Sequence, residues 1–163
     1  MIIKTKDFIL RPEKLSDAEK IFEYLQDAES RRNLMGTPKS VAQVKREFLK
    51  RGKDSEYFVI EINGDASGSI GIDNIVKGHK AIISYWLAKK YRGRGITTKA
   101  VKIATSYFFK KYKLVRISGS VRTFNIPSAK VLQKAGYKLE GILHKNKLKD
   151  GKYLDDMLWA KVR

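Results

Sequence analysis

The sequence contains no cysteine, which removes disulfide frameworks, thiol nucleophiles and cysteine-based zinc or iron–sulfur sites together. Its three prolines and twelve glycines are too few for a collagen-like or low-complexity chain. With 42% hydrophobic residues, the composition is that of a globular protein that folds on its own. Apolar stretches such as Ala81 to Ala88 stop far short of the roughly 20 residues of a membrane helix, so no span is expected. Met1 to Arg11 lacks an apolar core followed by a small-residue cleavage site, so a cytoplasmic location is expected rather than secretion. No repeat or linker divides the 163 residues, which are expected to form one domain over 1–163.

Acidic residues are missing from one long stretch. Up to Asp73 there are 13 Lys/Arg and 13 Asp/Glu, but from Asn74 to Leu139 there are 16 Lys/Arg and no carboxylate. Most of the net charge of +18 therefore belongs to the middle of the chain. Concentrated positive charge of this kind attracts phosphate-bearing ligands or nucleic acid, although it also serves plain solubility.

The hydrophobic pattern predicts a mixed α/β protein. Phe8 to Leu10 reads as a strand. Ser16, with Glu19 completing a capping box, starts a helix expected to run to about Ala28. Ser40 caps a second helix that Gly52 ends. Tyr57 to Ile62, the Asn63-Gly64 turn and Ala66 to Ile75 form a hairpin, followed by a strand from Ala81 to Leu87. Ile96 to Tyr112 places Ala100, Val101, Ala104, Tyr107 and Phe108 on one helical face. Leu114 to Val121 is β-branched and pairs parallel to the preceding strand through a right-handed crossover. A short helix from Asn125 to Ala135, then a hairpin over Tyr137 to Leu148 and Lys152 to Val162, completes the chain. The expected architecture is a mostly antiparallel sheet flanked by helices, with one parallel step in its middle.

At that step a strand feeds a helix through Arg92-Gly93-Arg94-Gly95-Ile96-Thr97. Glycines admit a ligand close to the backbone, and the unpaired N–H groups of a helix start favour phosphate. Neither the Rossmann nor the Walker spacing fits. A glycine pair also makes a plain structural turn, so the residues alone leave both readings open.

Tyr85-Trp86-Leu87, Arg92-Gly93-Arg94-Gly95, and Asn125-Ile126-Pro127-Ser128 with Leu132 and Gly136-Tyr137 together resemble the GNAT acetyltransferases, especially their ribosomal-protein N-terminal (Rim-type) branch. The resemblance runs from Leu10-Arg11-Pro12 and Asp17 to the hairpin at Asp150-Gly151-Lys152. The family turn, Gln/Arg-x-x-Gly-x-Gly/Ala, is matched by Arg92 and Gly95, with Thr97 in place of the last small residue. The resemblance implies acetyl-coenzyme A as cosubstrate and no metal. It implies backbone amides of Gly93, Arg94, Gly95, Ile96 and Thr97 on the pyrophosphate, with Arg92 and Arg94 adding charge. It also implies an oxyanion-binding backbone N–H near Leu87, Asn125 on the pantetheine arm and Ser128 beside the sulfur.

Taken alone, Asn125 reads better as a helix N-cap and Ser128 as a first-turn polar residue, a preference that the family spacing reverses. The tyrosine that many relatives carry as general acid is Leu132 here, which leaves Ser128 as the acid candidate. The family glutamate before the Tyr-Trp pair is Ile82, and a glutamate of the Rim-type hairpin corresponds to Lys147. Glu61, Asp73, Glu140, Asp155, Asp156, His79, His144 or water remain as bases. The expected reaction is direct acetyl transfer to an amine, with an acidic protein N-terminus favoured by charge. The alternatives are a small-molecule amine as acceptor, or a basic nucleic-acid-binding module using Arg92-Gly93-Arg94-Gly95 and Lys110-Lys111-Tyr112-Lys113. Association with the ribosome is compatible with either.

Overall fold

The structure is a computed structural model and describes residues 2–163. Eight strands form one sheet in the order β1-β2-β3-β4-β5-β6-β8-β7. They are β1 (Ile3–Lys4), β2 (Ile9–Pro12), β3 (Glu56–Ile62), β4 (Asp65–Val76), β5 (Lys80–Leu87), β6 (Arg116–Arg122), β7 (Lys138–Lys149) and β8 (Lys152–Val162). Every neighbouring pair is antiparallel except β5 and β6. The two long hairpins turn where the sequence supplies residues that tolerate a left-handed backbone, Asn63 and Gly64 in one, Asp150 and Gly151 in the other.

Helices α4 (Ile96–Tyr112) and α5 (Ile126–Lys134) cover one face, and α1 (Ala18–Tyr24) and α3 (Val41–Lys50) cover the other. On the α4 face, Ala100, Val101, Ala104 and Phe108 are buried against Phe58, Ile60, Ile70 and Ile72, with the Phe58 and Phe108 rings stacked at 5.9 Å. The far end of α4 is fixed by Glu56, which accepts from Tyr107, Lys111 and Tyr112. On the other face Ile21, Leu25 and Val44 pack on Val59 and Ala66.

The first helix ends sooner than its periodicity predicts. A 3₁₀ turn over Leu15–Asp17 opens it, α1 stops at Tyr24, and a separate short helix, α2 (Ala28–Asn33), begins after a break. Asp27 causes the restart, since its carboxylate accepts from the Ser30 backbone N–H at 3.0 Å and from the Ser30 hydroxyl at 2.6 Å. Asp17, not Ser16, provides the cap at the opening turn, accepting from the Lys14 N–H at 2.8 Å.

Beside β2 lies a buried charge that the fold accommodates poorly. The side chain of Glu13 is 9% exposed, and Arg51 approaches its Oε1 to 2.9 Å without hydrogen-bond geometry, so that oxygen lacks a hydrogen-bonded partner. Burial pushes the Glu13 carboxyl up to about 7, with Arg51 offsetting only part of the lost hydration. The folded state thus keeps a proton that the unfolded chain releases near 4.5, and Glu13 makes stability fall as pH rises through that interval. Urea unfolding midpoints should decline between about pH 5 and about pH 7, and Glu13→Gln should flatten the decline. A wild-type midpoint that holds constant across that window would exclude this role.

Candidate active site

β5 and β6 are paired for only three residues, Lys80↔Arg116, Ala81↔Ile117 and Ile82↔Ser118, and beyond them the ladder ends. The strands part into a cleft of about 590 Å³, within the usual range for a small-molecule site. Its lining alternates between the two sheet faces. Ile83, Tyr85 and Leu87 lie on the α4 face, whereas Ser84 and Trp86 lie on the α1 face. The cleft is therefore a slot between the two strands, lined from both faces of the sheet.

Ala88 donates its N–H to the Ser67 carbonyl at 2.8 Å. By strand alternation Leu87 turns its N–H and carbonyl toward the slot, away from β4. Gly119 keeps the strands close just past the last paired residues, because a Cβ there would lie 3.1 Å from Ile83 Cγ2.

At the cleft's end the chain makes a 3₁₀ turn, Lys89–Tyr91, and enters α4 through Arg92 to Gly95. Gly93 and Gly95 have φ of 77° and 74°, and a Cβ on either would meet nothing within 4 Å. Glycine is required there by conformation, and the backbone stands bare toward open space. Gly95 caps α4 with no side-chain hydrogen bond. The first helical donor is Lys99 N–H to the Gly95 carbonyl, so the N–H groups of Ile96, Thr97 and Thr98 have no intrahelical acceptor.

The two arginines of the turn differ. Arg92 donates Nε–H to the Leu87 carbonyl at 2.8 Å and Nη2–H to Ser30 Oγ at 3.1 Å, and pairs with Glu29 at 2.9 Å. Its charge is committed to holding α2 against the end of β5. Arg94 is exposed and lies 5.7 Å over the Tyr91 ring. Lys149 of the hairpin donates to the Arg31 and Leu34 carbonyls at the other end of α2, and Arg32 lies 4.6 Å over the Phe124 ring. Helix α2, fastened on three sides, walls the slot on the α1 face.

Asn125 caps α5, its Oδ1 accepting from Ser128 N–H at 3.3 Å, which leaves the two Nδ2 hydrogens for the cleft it lines. Ser128 Oγ lies 2.9 Å from the Tyr85 hydroxyl, which also donates to the Ser128 carbonyl at 3.1 Å. Burial pushes the Tyr85 phenol up to about 12, with Ser128 opposing the shift.

The sequence-predicted residues Leu87, Arg92, Gly93, Gly95, Ile96, Thr97, Asn125 and Ser128 all line this one cleft. None of the base candidates does. Glu61 pairs with Arg11, Glu140 with Arg116, Asp155 with His144, and Asp156 is buried against Arg122 and Asn146. His79 sits in the turn before β5, and Lys147 is exposed opposite Leu154 on the hairpin. Sequence reasoning missed Glu29 and Ser30, which line the cleft from α2; the Asp27-x-x-Ser30 capping pattern was the signal that could have found them. It also assigned no role to the hydroxyl groups of Tyr85 and Ser84.

Residues 7–138 match the Acetyltransferase (GNAT) domain family. Over 98% of its length the chain is 29% identical to the probable N-acetyltransferase YjcK of Bacillus subtilis, covering 96% of that protein. It is 28% identical, over 70% of its length and 60% of the other, to the [ribosomal protein uS5]-alanine N-acetyltransferase of Escherichia coli. The crystal structure of ribosomal-protein-S5-alanine acetyltransferase from Vibrio fischeri superimposes with a TM-score of 0.87 at 25% identity, over 99% of this chain and 96% of that one.

The unequal duties of the two arginines are testable by urea unfolding. Arg92→Ala should lower stability by about 1–2 kcal/mol, the half-exposed Glu29 contact adding little, whereas Arg94→Ala should leave it unchanged. Equal effects would show that Arg92 does not fasten α2.

Proposed function

The chain belongs to the GNAT acetyltransferase family, and from that premise we propose that it transfers an acetyl group from acetyl-coenzyme A to the α-amine of a protein N-terminus. The observation that carries the reading is the slot between β5 and β6, with a bare glycine cradle at one end and the Tyr85–Ser128 pair beside it. These residues fit the cosubstrate. Backbone N–H groups from Gly93 to Thr97 suit its pyrophosphate, Arg94 adds charge from the surface, and the unpaired edges of β5 and β6 suit the amide-bearing arm. Arg92 acts on the pyrophosphate indirectly, by holding the turn. When bound, acetyl-coenzyme A supplies a thioester whose acyl carbon is electrophilic.

The chain's own groups do the rest. The Leu87 N–H stabilises the oxyanion. Since the Tyr85 proton is directed at the Ser128 carbonyl, the 2.9 Å contact between the hydroxyls is donated by Ser128. Ser128 gives that proton to the departing sulfur and regains one from the amine nitrogen as it is acylated, while Tyr85, kept protonated by burial, swings its own O–H onto Ser128 Oγ and donates a hydrogen bond to it in the interval. Ser128 is the catalytic acid and Tyr85 its positioning residue.

For the acceptor, the acid-free stretch from Asn74 to Leu139 disfavours polycations and favours an acidic peptide. An α-amine, with a pKa of about 7.7–8.0, is partly neutral near pH 7, whereas a lysine at about 10.4 is not. The relatives named for an alanine of a ribosomal protein support a protein acceptor, and the reading is completed by a single-domain enzyme working in the cytoplasm near the ribosome.

Acetyl-coenzyme A at about 100 times its Kd should stabilise the fold by about 2.7 kcal/mol, and Gly95→Glu should abolish the shift. Of two matched acidic peptides, one with a free N-terminus and acetylated lysines and the other with the reverse, the first should be the better acceptor. Efficient transfer to the lysine alone would overturn the α-amine reading. Ser128→Ala should reduce kcat on the order of 10²-fold with the acetyl-coenzyme A shift intact. Tyr85→Phe should reduce kcat by less, again without changing KM for the cosubstrate. Unchanged turnover in Ser128→Ala would leave it a helix residue only.

A further inference from the structure

A chain of three side chains, Asp73, Tyr57 and Ser84, runs across the α1 face of the sheet to the slot and takes part in no step described so far. Tyr57 on β3 lies opposite Gly71 of β4, and its ring occupies the space a Cβ on Gly71 would need. The ring thus passes over β4, and its hydroxyl meets Asp73 of β4 and Ser84 of β5, the latter at 2.9 Å. Asp73 is the cross-strand partner of Ile82. Ser84 is exposed and lines the cleft.

Proton inventory fixes the direction of this chain. A phenol has one proton, and Tyr57 gives it to the Asp73 carboxylate. The contact with Ser84 must then be donated by Ser84 to the Tyr57 oxygen. With its only proton used, Ser84 Oγ offers the slot nothing but lone pairs, an arrangement that accepts N–H from an amine and repels a carbonyl. The charged groups facing the three are Arg51, at the end of α3 and 3.3 Å over the Tyr57 ring, and behind it Glu13. Burial and the Asp73 charge hold the Tyr57 phenol above its ordinary value, so it passes a proton on without standing empty.

We infer that Ser84, Tyr57 and Asp73 are the proton exit for the acceptor amine, a reading that rests on the acetyl-transfer function proposed above. The ammonium N–H goes to Ser84 Oγ, the Ser84 proton moves to Tyr57 Oη, and the Tyr57 proton moves to Asp73. The amine is left neutral for attack and the carboxyl protonated, to be discharged to solvent. The carboxylate that is missing from β5 and β6 is reached on the neighbouring strand.

The test is the pH dependence of acetyl transfer to an acidic peptide with a free N-terminus, in wild type, Ser84→Ala, Tyr57→Phe and Asp73→Asn. At about pH 6.5 each variant should be slower on the order of 10²-fold. The deficit should shrink toward parity above about pH 9, where solvent has already deprotonated an amine of pKa about 7.7–8.0. KM for acetyl-coenzyme A and the melting shift it induces should stay at wild-type values, showing that the cosubstrate half of the slot is undisturbed. A deficit independent of pH in all three variants would mean a structural role, and wild-type profiles in all three would sink the exit outright. Should Asp73→Asn fail to fold, the exposed Ser84→Ala and the ring-preserving Tyr57→Phe decide the matter. Absence of transfer by the wild type itself would overturn the proposed function, and the exit with it, whereas an active wild type with unaffected variants overturns the exit alone.

Discussion

Two parallel strands that hold together for three residue pairs and then separate impose the rest of this architecture. A sheet normally satisfies each strand on both sides, and an interior gap leaves two rows of backbone donors and acceptors without partners. Such a gap persists only if something braces it. Here β5 is anchored along β4, and β6 is anchored along β8 by seven residue pairs from Arg116↔Val162 to Arg122↔Asp156. The buried contact between Arg122 and Asp156 fixes the far lip, and the Tyr85–Ser128 contact ties β5 to α5 across the opening. The slot is thus a braced defect in a continuous sheet, and the glycine turn at the start of α4 follows because β5 must leave the sheet at that point.

Charge is distributed with comparable economy. The excess of cations in the middle of the chain suggests a uniformly basic surface, yet several of those cations are neutralised by carboxylates from elsewhere. Arg92 meets Glu29, Arg116 meets Glu140, Lys111 meets Glu56 and Arg122 meets Asp156. Cations around the mouth on the α5 side, Lys130 and Lys134, have no carboxylate partner among the described residues. A charge count along the sequence therefore overstates the field at the slot, and the unpaired minority is what an incoming anion meets.

The sheet's connectivity was legible because its signals are local: the Asn63-Gly64 and Asp150-Gly151 turns, the strand–glycine–helix step, and the apolar face of α4. So were the cleft residues contributed by the end of β5, the glycine turn and the start of α5, since their order along the chain carries the family pattern. Three things were not. The break between α1 and α2 depends on Asp27 capping a short helix that has no apolar stripe of its own to announce it. The separate duties of Arg92 and Arg94 depend on Glu29 and Ser30, more than sixty residues earlier in the sequence. The grouping of Tyr57, Asp73 and Ser84 requires the register of three strands at once, together with a glycine small enough for a ring to cross. The Asp27-x-x-Ser30 spacing signals the first of these; no spacing rule within one segment reports the other two.

The position of β8 has a consequence in time. It follows β7 in the chain but lies between β7 and β6, so the wall of the slot formed by β6 has nothing on its outer side until β8 arrives. During synthesis, β5, α4, β6 and α5 all emerge before that brace, and their contacts are then incomplete along the edge of β6. Lys149, which fastens α2 from the hairpin, comes equally late. Non-local pairings of this kind are slow to form because the chain must first be brought around. A ribosome-bound nascent chain therefore carries every residue of the slot's lining before it has a slot, and the capacity to bind arrives with the last strand to dock rather than gradually.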